Sequence, residues 1–331
     1  MTTIVSRAAT RLDLAGGSLD LWPLGMMVPG ATTVNVAVSL AATVRCTRTG
    51  NQGIRFRSRD LDSDYTWREG DASGRLALLE NLCRTFRVVD GWEIETSSDS
   101  PPGAGLGGSS ALSLALALAL GRIRGREEEP FRLVRICRDL EASLLGIPTG
   151  VQDFWPALRG GALCIRYLPG GEAIESLDVP LRDLAGRLVV CYTGQSRLSA
   201  APNWELVKRC VERDTTALGA LGRIADIARR LRTALLEGDL EETGRLVGRE
   251  WAERVTLAEG IGTPFMERLS KAALEAGALG GKGCGAGGGG CMLFLVEEGA
   301  RSGVRMALEK EGARVLLAYP VERGHSIEVE P

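Results

Sequence analysis

The sequence predicts an α+β protein of two domains, and three observations carry that expectation. Its 331 residues exceed what a single hydrophobic core usually organises. Its predicted helices and strands alternate without the strict βαβ period of a doubly wound sheet. Its start is rich in strand, and that strand-rich part leads into a glycine loop that opens a long Ala/Leu helix. The expected domains are residues 1–184 and 185–331.

Ile4 to Leu14 and Thr33 to Arg45 are rich in the Val, Ala and Thr of strands, and the polar stretch from Arg45 to Arg68 reads as a hairpin. A helix over Gly74 to Phe86 and a short strand over Trp92 to Thr96 deliver the chain to the glycine loop. Phe131 to Leu145 is amphipathic and stops at Gly146 and Pro148. Ala162 to Tyr167 reads as a strand, and a Gly/Pro-marked loop follows at Leu168 to Gly171. Beyond a boundary near Leu184, a strand is expected over Leu188 to Tyr192 and helices over Trp204 to Leu236, Leu240 to Arg254 and Phe265 to Ala276. Met292 to Val296 and Val315 to Tyr319 complete the pattern as strands. There is no internal repeat.

Composition narrows the function classes. With 40 basic and 42 acidic residues spread along the chain, the formal net charge is −2, which leaves no electrostatic footprint for nucleic acid or anionic lipid. A small-molecule partner is favoured. Only Lys208, Lys271, Lys282 and Lys310 are lysines; the other basic residues are arginines. Eight cysteines without a CxxC pair, and no signal peptide, give the expectation of a reduced, cytoplasmic protein without structural zinc. The longest uncharged stretch, Ser100 to Gly121, falls short of the ~20 apolar residues that cross a bilayer. His325, the single histidine, sits near the C-terminus in a polar segment, which argues against a Ser-His-Asp triad and rules out multi-His metal sites. Acid and base work falls to carboxylates, Arg or Lys.

The run Pro101-Pro102-Gly103-Ala104-Gly105-Leu106-Gly107-Gly108-Ser109-Ser110 builds an anion site. Its glycines let backbone approach a phosphate, and the helix beginning at the serines aims unpaired N–H groups and its positive dipole end at the same place. It lacks the Lys of a Walker loop. A formal G-x-G-x-x-G is present at Gly103, Gly105 and Gly108, with Glu128 placed for a ribose, which is the fingerprint of a nicotinamide-dependent oxidoreductase. Six residues separate Thr96 from Gly103, however, whereas a Rossmann turn follows its strand directly. An ordinary loop before a core helix would not carry so many glycines, each costing ~0.5–1 kcal/mol when ordered. A second run, Gly280 to Cys291, feeds straight into a strand, which points to close backbone approach to another element or a ligand rather than to a linker.

Pro102-Gly-Ala-Gly-Leu-Gly-Gly-Ser-Ser-Ala resembles the second motif of the GHMP kinases, and the run from Gly280 resembles their third. Arg7-Ala-Ala-Thr-Arg11-Leu-Asp-Leu-Ala-Gly16-Gly17-Ser18-Leu-Asp20 is similar to the first motif of their sugar-kinase branch, that of the D-glycero-D-manno-heptose 7-phosphate kinases. The stretches Glu141 to Gly161 and Cys191 to Arg197 extend the likeness to that branch. The resemblance implies an N-terminal domain with a left-handed βαβ nucleotide unit and a ferredoxin-like C-terminal domain. It also implies ATP and Mg²⁺, with ATP held by residues 102–110.

Individual residues bear on that chemistry. Glu141 sits at the edge of an apolar helical stripe, where an unpaired charge is costly; from the helix alone a salt bridge to Arg135 or Arg138 and a metal ion are equally open. The resemblance implies Mg²⁺ on Glu141 and on a helix-start serine, Ser109 by alignment and Ser110 as the fallback. Asp153, twelve residues after Glu141, is either the N-cap of a following helix or, as the resemblance implies, the catalytic base. Arg11 is either a strand arginine facing solvent or, as the resemblance implies, the basic partner of Asp153. Asp20, with Gly17, Ser18 and Gly150, matches an acceptor site, and a carboxylate that takes several hydroxyl donors suits a polyol. Tyr192, Thr193 and Arg197 are expected to reach the acceptor from the second domain, with Arg197 suited to an acceptor phosphate. Trp22 and Trp155 are read as core or as sugar-stacking rings.

The expectation is an ATP-dependent kinase for a hydroxyl of a sugar or sugar phosphate, heptose 7-phosphate-like, with the anomeric position as a candidate. Ser18-Leu19 in place of Gly-Thr leaves another sugar open. Relatives acting on mevalonate usually carry Gly-Glu-His where this chain has Gly17-Ser18-Leu19, which argues against that alcohol. A ligand sensor that kept only the fold is the non-catalytic rival. Beyond the small molecule, the expected partners are a second copy in a homodimer, with no nucleic acid and no membrane.

Overall fold

Two sheets organise the chain, and the cleft described below lies where their two halves meet. The computed structural model describes residues 2–72, 74, 76–195 and 200–330. The first half runs β1 (Thr3–Ala15), α1 (Leu24–Met27), β2 (Thr32–Arg48), β3 (Ile54–Ser58), β4 (Ser63–Trp67), α2 (Ala77–Thr85), β5 (Trp92–Ser98), α3 (Gly108–Ile123), α4 (Pro130–Leu145), α5 (Phe154–Arg159), β6 (Ala162–Leu168) and β7 (Gly171–Leu177). The second continues with α6 (Leu181–Arg187), β8 (Leu188–Tyr192), α7 (Ala200–Val211), α8 (Thr215–Leu236), α9 (Leu240–Arg254), α10 (Pro264–Glu275), β9 (Ala278–Gly283), β10 (Cys291–Val296), α11 (Arg301–Lys310), β11 (Arg314–Leu316) and β12 (His325–Glu330).

The larger sheet has the order β12-β1-β2-β5-β3-β4, with β6 paired to β2 and β7 to β6. Among the described residues, only β3 and β5 pair in parallel. β1 is buried along nearly its whole length, because α3 packs against it along with α5, while α8 and α9 pack against it from the other half. A strand covered on both faces loses the polar/apolar alternation of a half-exposed one, which is how Arg11 and Asp13 come to be buried within it. α3 is apolar around its circumference and correspondingly buried, lodged between β1, β2 and the helices α2, α4 and α5.

The smaller sheet has the order β11-β8-β10-β9, antiparallel throughout. Numbered along the chain that is 4-1-3-2, with α7 to α10 between the first two strands and α11 before the last, so the expected ferredoxin-like arrangement is present. Leu12, Val34 and Val36 of the large sheet share one core with Leu188, Val190, Leu293 and Leu295 of the small sheet and with Leu231 and Leu246 from α8 and α9. The last strand, β12, returns to pair with β1, Thr3 opposite Glu330 and Ala8 opposite His325. The boundary expected at residue 184 falls inside α6.

Several local expectations change for identifiable reasons. The helix predicted over Trp204 to Leu236 is two helices. Arg213 adopts a left-handed φ of 66°, and the Asp214 side chain then accepts hydrogen bonds from the Thr216 and Ala217 amides to start α8. α4 begins one residue early because Glu129 caps it and Pro130 occupies its first turn, and it ends at Gly146 as expected. β7, α11 and β12 were not signalled; β12 is an edge strand whose alternating pattern is mostly exposed. All eight cysteines are free and buried. Among the described residues no helix is long and apolar enough to cross a membrane.

Candidate active site

A cleft of about 180 Å³ is lined by Arg11, Gly17, Ser18, Asp20, Ser109, Ser110, Glu141, Gly150, Gln152, Asp153, Asn203, Arg254, Gly285 and Ala286 among others. Its residues come from β1, the turn after it, the start of α3, α4, the turn before α5, α7, α9 and the second glycine run.

The glycine loop approaches from behind the cleft. Gly103, Gly105 and Gly107 all take left-handed φ values, and α3 starts at Gly107 with no side chain capping it. The first helical bond runs from the Ala111 amide to Gly107 O, so the amides of residues 108–110 remain directed out of the helix end. The second glycine run grips this loop. A Cβ on Gly105 would stand 2.4 Å from Cys284 O, and one on Gly285 would stand 3.0 Å from Gly105 Cα. The Cys291 amide donates to Ala104 O at 2.8 Å. The close approach expected of that run is therefore present, between one backbone and another.

Asp153 occupies the N-cap position of α5, yet its carboxylate makes no capping bond. It accepts instead from Arg11, Nε at 2.9 Å and Nη2 at 2.6 Å. Arg11 is 3% exposed, so the solvent-facing alternative is excluded, and its Nη1 donates to Gly105 O at 2.7 Å. One guanidinium thus ties the carboxylate to the glycine loop, and a Cβ on Gly107 would sit 3.1 Å from the Asp153 carboxyl carbon. Burial alone would lower the pKa of Arg11, but Asp153 and Asp13 outweigh it and keep the guanidinium charged.

Glu141 forms no ion pair among the described residues, and Arg138 is taken by Asp139 at 2.7 Å. The Glu141 carboxylate accepts from Ser109 Oγ at 2.8 Å and from Ser110 Oγ at 3.4 Å. Burial, with the charge of Asp153 adding to it, pushes this carboxyl up to about 7. Asp20 accepts from the Gln152 amide at 3.3 Å and from Gln152 Nε2 at 3.2 Å. It lies so close to Gly150 that a Cβ there would be 1.6 Å from Oδ2. Burial and the nearby Asp153 push Asp20 up to about 7 as well.

A folded-state pKa above the unfolded value means that the folded protein binds the extra proton more tightly, so stability falls as pH rises from about 4 to 7. Asn mimics the protonated carboxyl, and the unpartnered Oε1 of Gln152 accommodates its amide. Asp20→Asn is expected to raise the melting temperature at pH 8, with the gain shrinking as the pH is lowered from about 7 towards 4. A lowered melting temperature at pH 8 would contradict the assignment.

Tyr192 does not line the cleft. Pairing of β8 with β10 sets it behind the glycine loop, where its hydroxyl faces Pro102 O at 3.5 Å and the Arg314 guanidinium lies over its ring. Thr193 is buried, with its hydroxyl on Gly290 O. Arg197 lies outside the described residues. Trp155 is core, whereas Trp22 is 73% exposed. Glu128 follows the far end of α3, whose 16 residues span about 24 Å, and pairs with Arg126 and Arg132, so it lies beyond the opposite end of that helix from the glycines and the dinucleotide fingerprint fails.

Sequence reasoning missed Gln152, Asn203 and the buried set Asp13, Glu250, Arg254 and Lys282. The one sequence signal for that set was the spacing of Glu250 and Arg254, four residues apart on one helix face.

An anion cradle facing a carboxylate paired with a buried arginine, with a polar pocket beyond it, describes a small-molecule phosphotransferase. Two family models, "GHMP kinases N terminal domain" over residues 75–161 and "GHMP kinases C terminal" over residues 231–314, match the sequence. The chain belongs to the GHMP kinases, and is an ATP-dependent phosphotransferase acting on a hydroxyl. It is 27% identical to D-glycero-alpha-D-manno-heptose 7-phosphate kinase of Campylobacter jejuni, over 94% of each chain. It is 30% identical to the mevalonate kinase of Aeropyrum pernix, over 91% of this chain and 93% of that one. A crystal structure of a D-glycero-D-manno-heptose 1-phosphate kinase from Bacteriodes thetaiotaomicron superposes with a TM-score of 0.78 at 23% identity, covering 98% of each chain.

Proposed function

We propose that the protein phosphorylates a hydroxyl of a sugar or sugar phosphate of the heptose 7-phosphate kind, with the anomeric hydroxyl as acceptor. The observation that carries this reading is the Arg11–Asp153 pair, set between the glycine loop on one side and the Asp20–Gly150 pocket on the other. Amides of residues 108–110 and the N-terminal end of α3 face the triphosphate, and residues 102–107 shape the loop. Asp20 accepts hydrogen bonds from the acceptor's hydroxyls and orients it. Asp153 takes the proton of the attacking hydroxyl, and Arg11 holds that carboxylate in register with the loop.

The donor set also fits Mg²⁺. Glu141 is a carboxylate without a cation, already aligned with Ser109, in a cleft where Asp20 and Asp153 add negative charge. Among the described residues no three His, Cys, Asp or Glu side chains form a protein-only metal cage. That suits an ion held by one carboxylate, one hydroxyl, water and nucleotide phosphates. Ser109 and Glu141 would hold it, and when bound it neutralises phosphate charge.

The acceptor pocket supports a polyol over mevalonate, because the turn that presents Asp20 reads Gly17-Ser18-Leu19 and lacks the Glu-His pair. The test is ADP release with Mg-ATP across free sugars, sugar phosphates and mevalonate, with the product position read by NMR. Turnover on a sugar or sugar phosphate is expected. Turnover on mevalonate alone would replace the sugar reading.

A further inference from the structure

Four charged side chains, Arg254 on the wall of the cleft and three behind it, have no part in the chemistry above. Asp13 on β1, Glu250 and Arg254 on α9, and Lys282 on β9 are each at most 3% exposed. Lys282 Nζ lies 3.0 Å from both Asp13 Oδ2 and Glu250 Oε2. Arg254 grips Glu250 and approaches Asp13 at 3.6 Å. Two negative and two positive charges make the set neutral. Burial pushes the Asp13 carboxyl up, but Lys282, Arg254 and Arg11 outweigh it and hold the group below its ordinary range. Well-packed apolar side chains would fill such a space at no loss of stability, and often at a gain, so stability alone does not account for the cluster.

Its outward contacts do. Glu250 Oε1 accepts from the Gly16 amide at 3.3 Å, Arg254 Nη2 donates to Gly17 O at 3.1 Å, and Arg254 Nη1 donates to Ser18 Oγ at 3.3 Å. Three consecutive residues of the turn that presents Asp20 are thus held from the other half of the molecule. Gly16 and Ser18 both take left-handed φ values, 93° and 69°, and the latter is costly for a residue with a side chain. A Cβ on Gly17 would stand 2.3 Å from Asp13 Oδ2 and 2.8 Å from Arg254 Nη2. That glycine is where the turn presses onto the cluster.

We infer that the Asp13–Lys282–Glu250–Arg254 cluster positions the acceptor site, with Arg254 and Glu250 fixing the Gly16-Gly17-Ser18 turn so that Asp20 stays against Gly150 and Gln152. This rests on the reading of Asp20 as an acceptor-binding residue. Arg254 and Glu250 are positioning residues.

Arg254→Lys keeps the charge but loses the planar fork that reaches both Gly17 and Ser18. In this variant, amide hydrogen exchange over residues 16–20 is expected to accelerate at least tenfold while α3 and β10 keep their protection. The acceptor KM should rise about tenfold, with the ATP KM and the kcat at saturating acceptor within threefold of wild type. The paired replacement Glu250→Leu with Arg254→Met removes one charge of each sign and leaves Asp13 and Lys282 neutral together. It should fold with a melting temperature at or above that of wild type and show the same exchange and KM changes. Unchanged exchange over residues 16–20 in these variants, or an ATP KM rising in step with the acceptor KM, would overturn the inference. If the wild type phosphorylates no sugar, the acceptor reading fails by itself, and the exchange result still decides whether the cluster holds the turn.

Discussion

Asp153→Asn should give a folded protein that binds ATP as tightly as wild type and turns over about a thousandfold more slowly. Asn keeps the size of the side chain and can still accept from Arg11, but it can neither take a proton nor offset the guanidinium. A positioned base contributes about 10²–10⁴ in rate, and phosphoryl transfer also draws on placement and charge neutralisation that this variant retains. The carboxylate makes no capping bond to α5, so no helix start is lost. The unpaired, buried Arg11 still lowers stability, by roughly 1–3 kcal/mol. Stopped-flow or steady-state ADP release set beside ATP titration separates the two effects. Turnover within tenfold of wild type would remove Asp153 from the chemistry and favour a protein that kept the fold as a ligand sensor.

Much of the cleft was legible because its parts need residue types that tolerate little substitution. Left-handed backbone at Gly103, Gly105 and Gly107, and gaps too narrow for a Cβ at Gly105, Gly150 and Gly285, leave glycine as the residue that fits, so the loops announce themselves. Sequence offered two readings each for Glu141, Asp153 and Arg11, and only geometry separates them. Arg138 turns to Asp139, Asp153 leaves its helix uncapped, and Arg11 points inward because β1 is covered on both faces. The fold class was legible from the chain's length, its strand-rich start and the alternation of helices and strands without a βαβ period. The return of β12 to β1 was not, since a short edge strand with four charged or polar positions looks like a tail. Nor did the sequence show that the two halves share a core, because Leu12 and Leu295, which do so, are joined only by tertiary packing.

The buried ion cluster was the least legible part, since its four members come from three elements, and it makes the second large effect. Lys282→Met leaves Asp13 and Glu250 with one cation between them, and breaking a buried pair in this way costs roughly 3–5 kcal/mol. Asp13→Asn leaves the opposite imbalance, two cations against Glu250, and should cost about as much. The double variant restores neutrality, with Glu250 still paired to Arg254, so its destabilisation should fall short of the sum of the two single losses. A coupling of about 1–3 kcal/mol is expected for residues in direct contact, and Lys282 Nζ lies 3.0 Å from Asp13. Denaturant unfolding of the four proteins measures it. Strict additivity would mean that Asp13 and Lys282 do not sense each other's charge, and the cluster would then be two separate pairs, Lys282 with Glu250 and Arg254 with Asp13. Non-additivity with both singles strongly destabilised would instead make this unit the joint between β1, which carries Arg11, and the helix and strand of the C-terminal half. The turn that presents Asp20 would then be set by the same charges that hold the halves together.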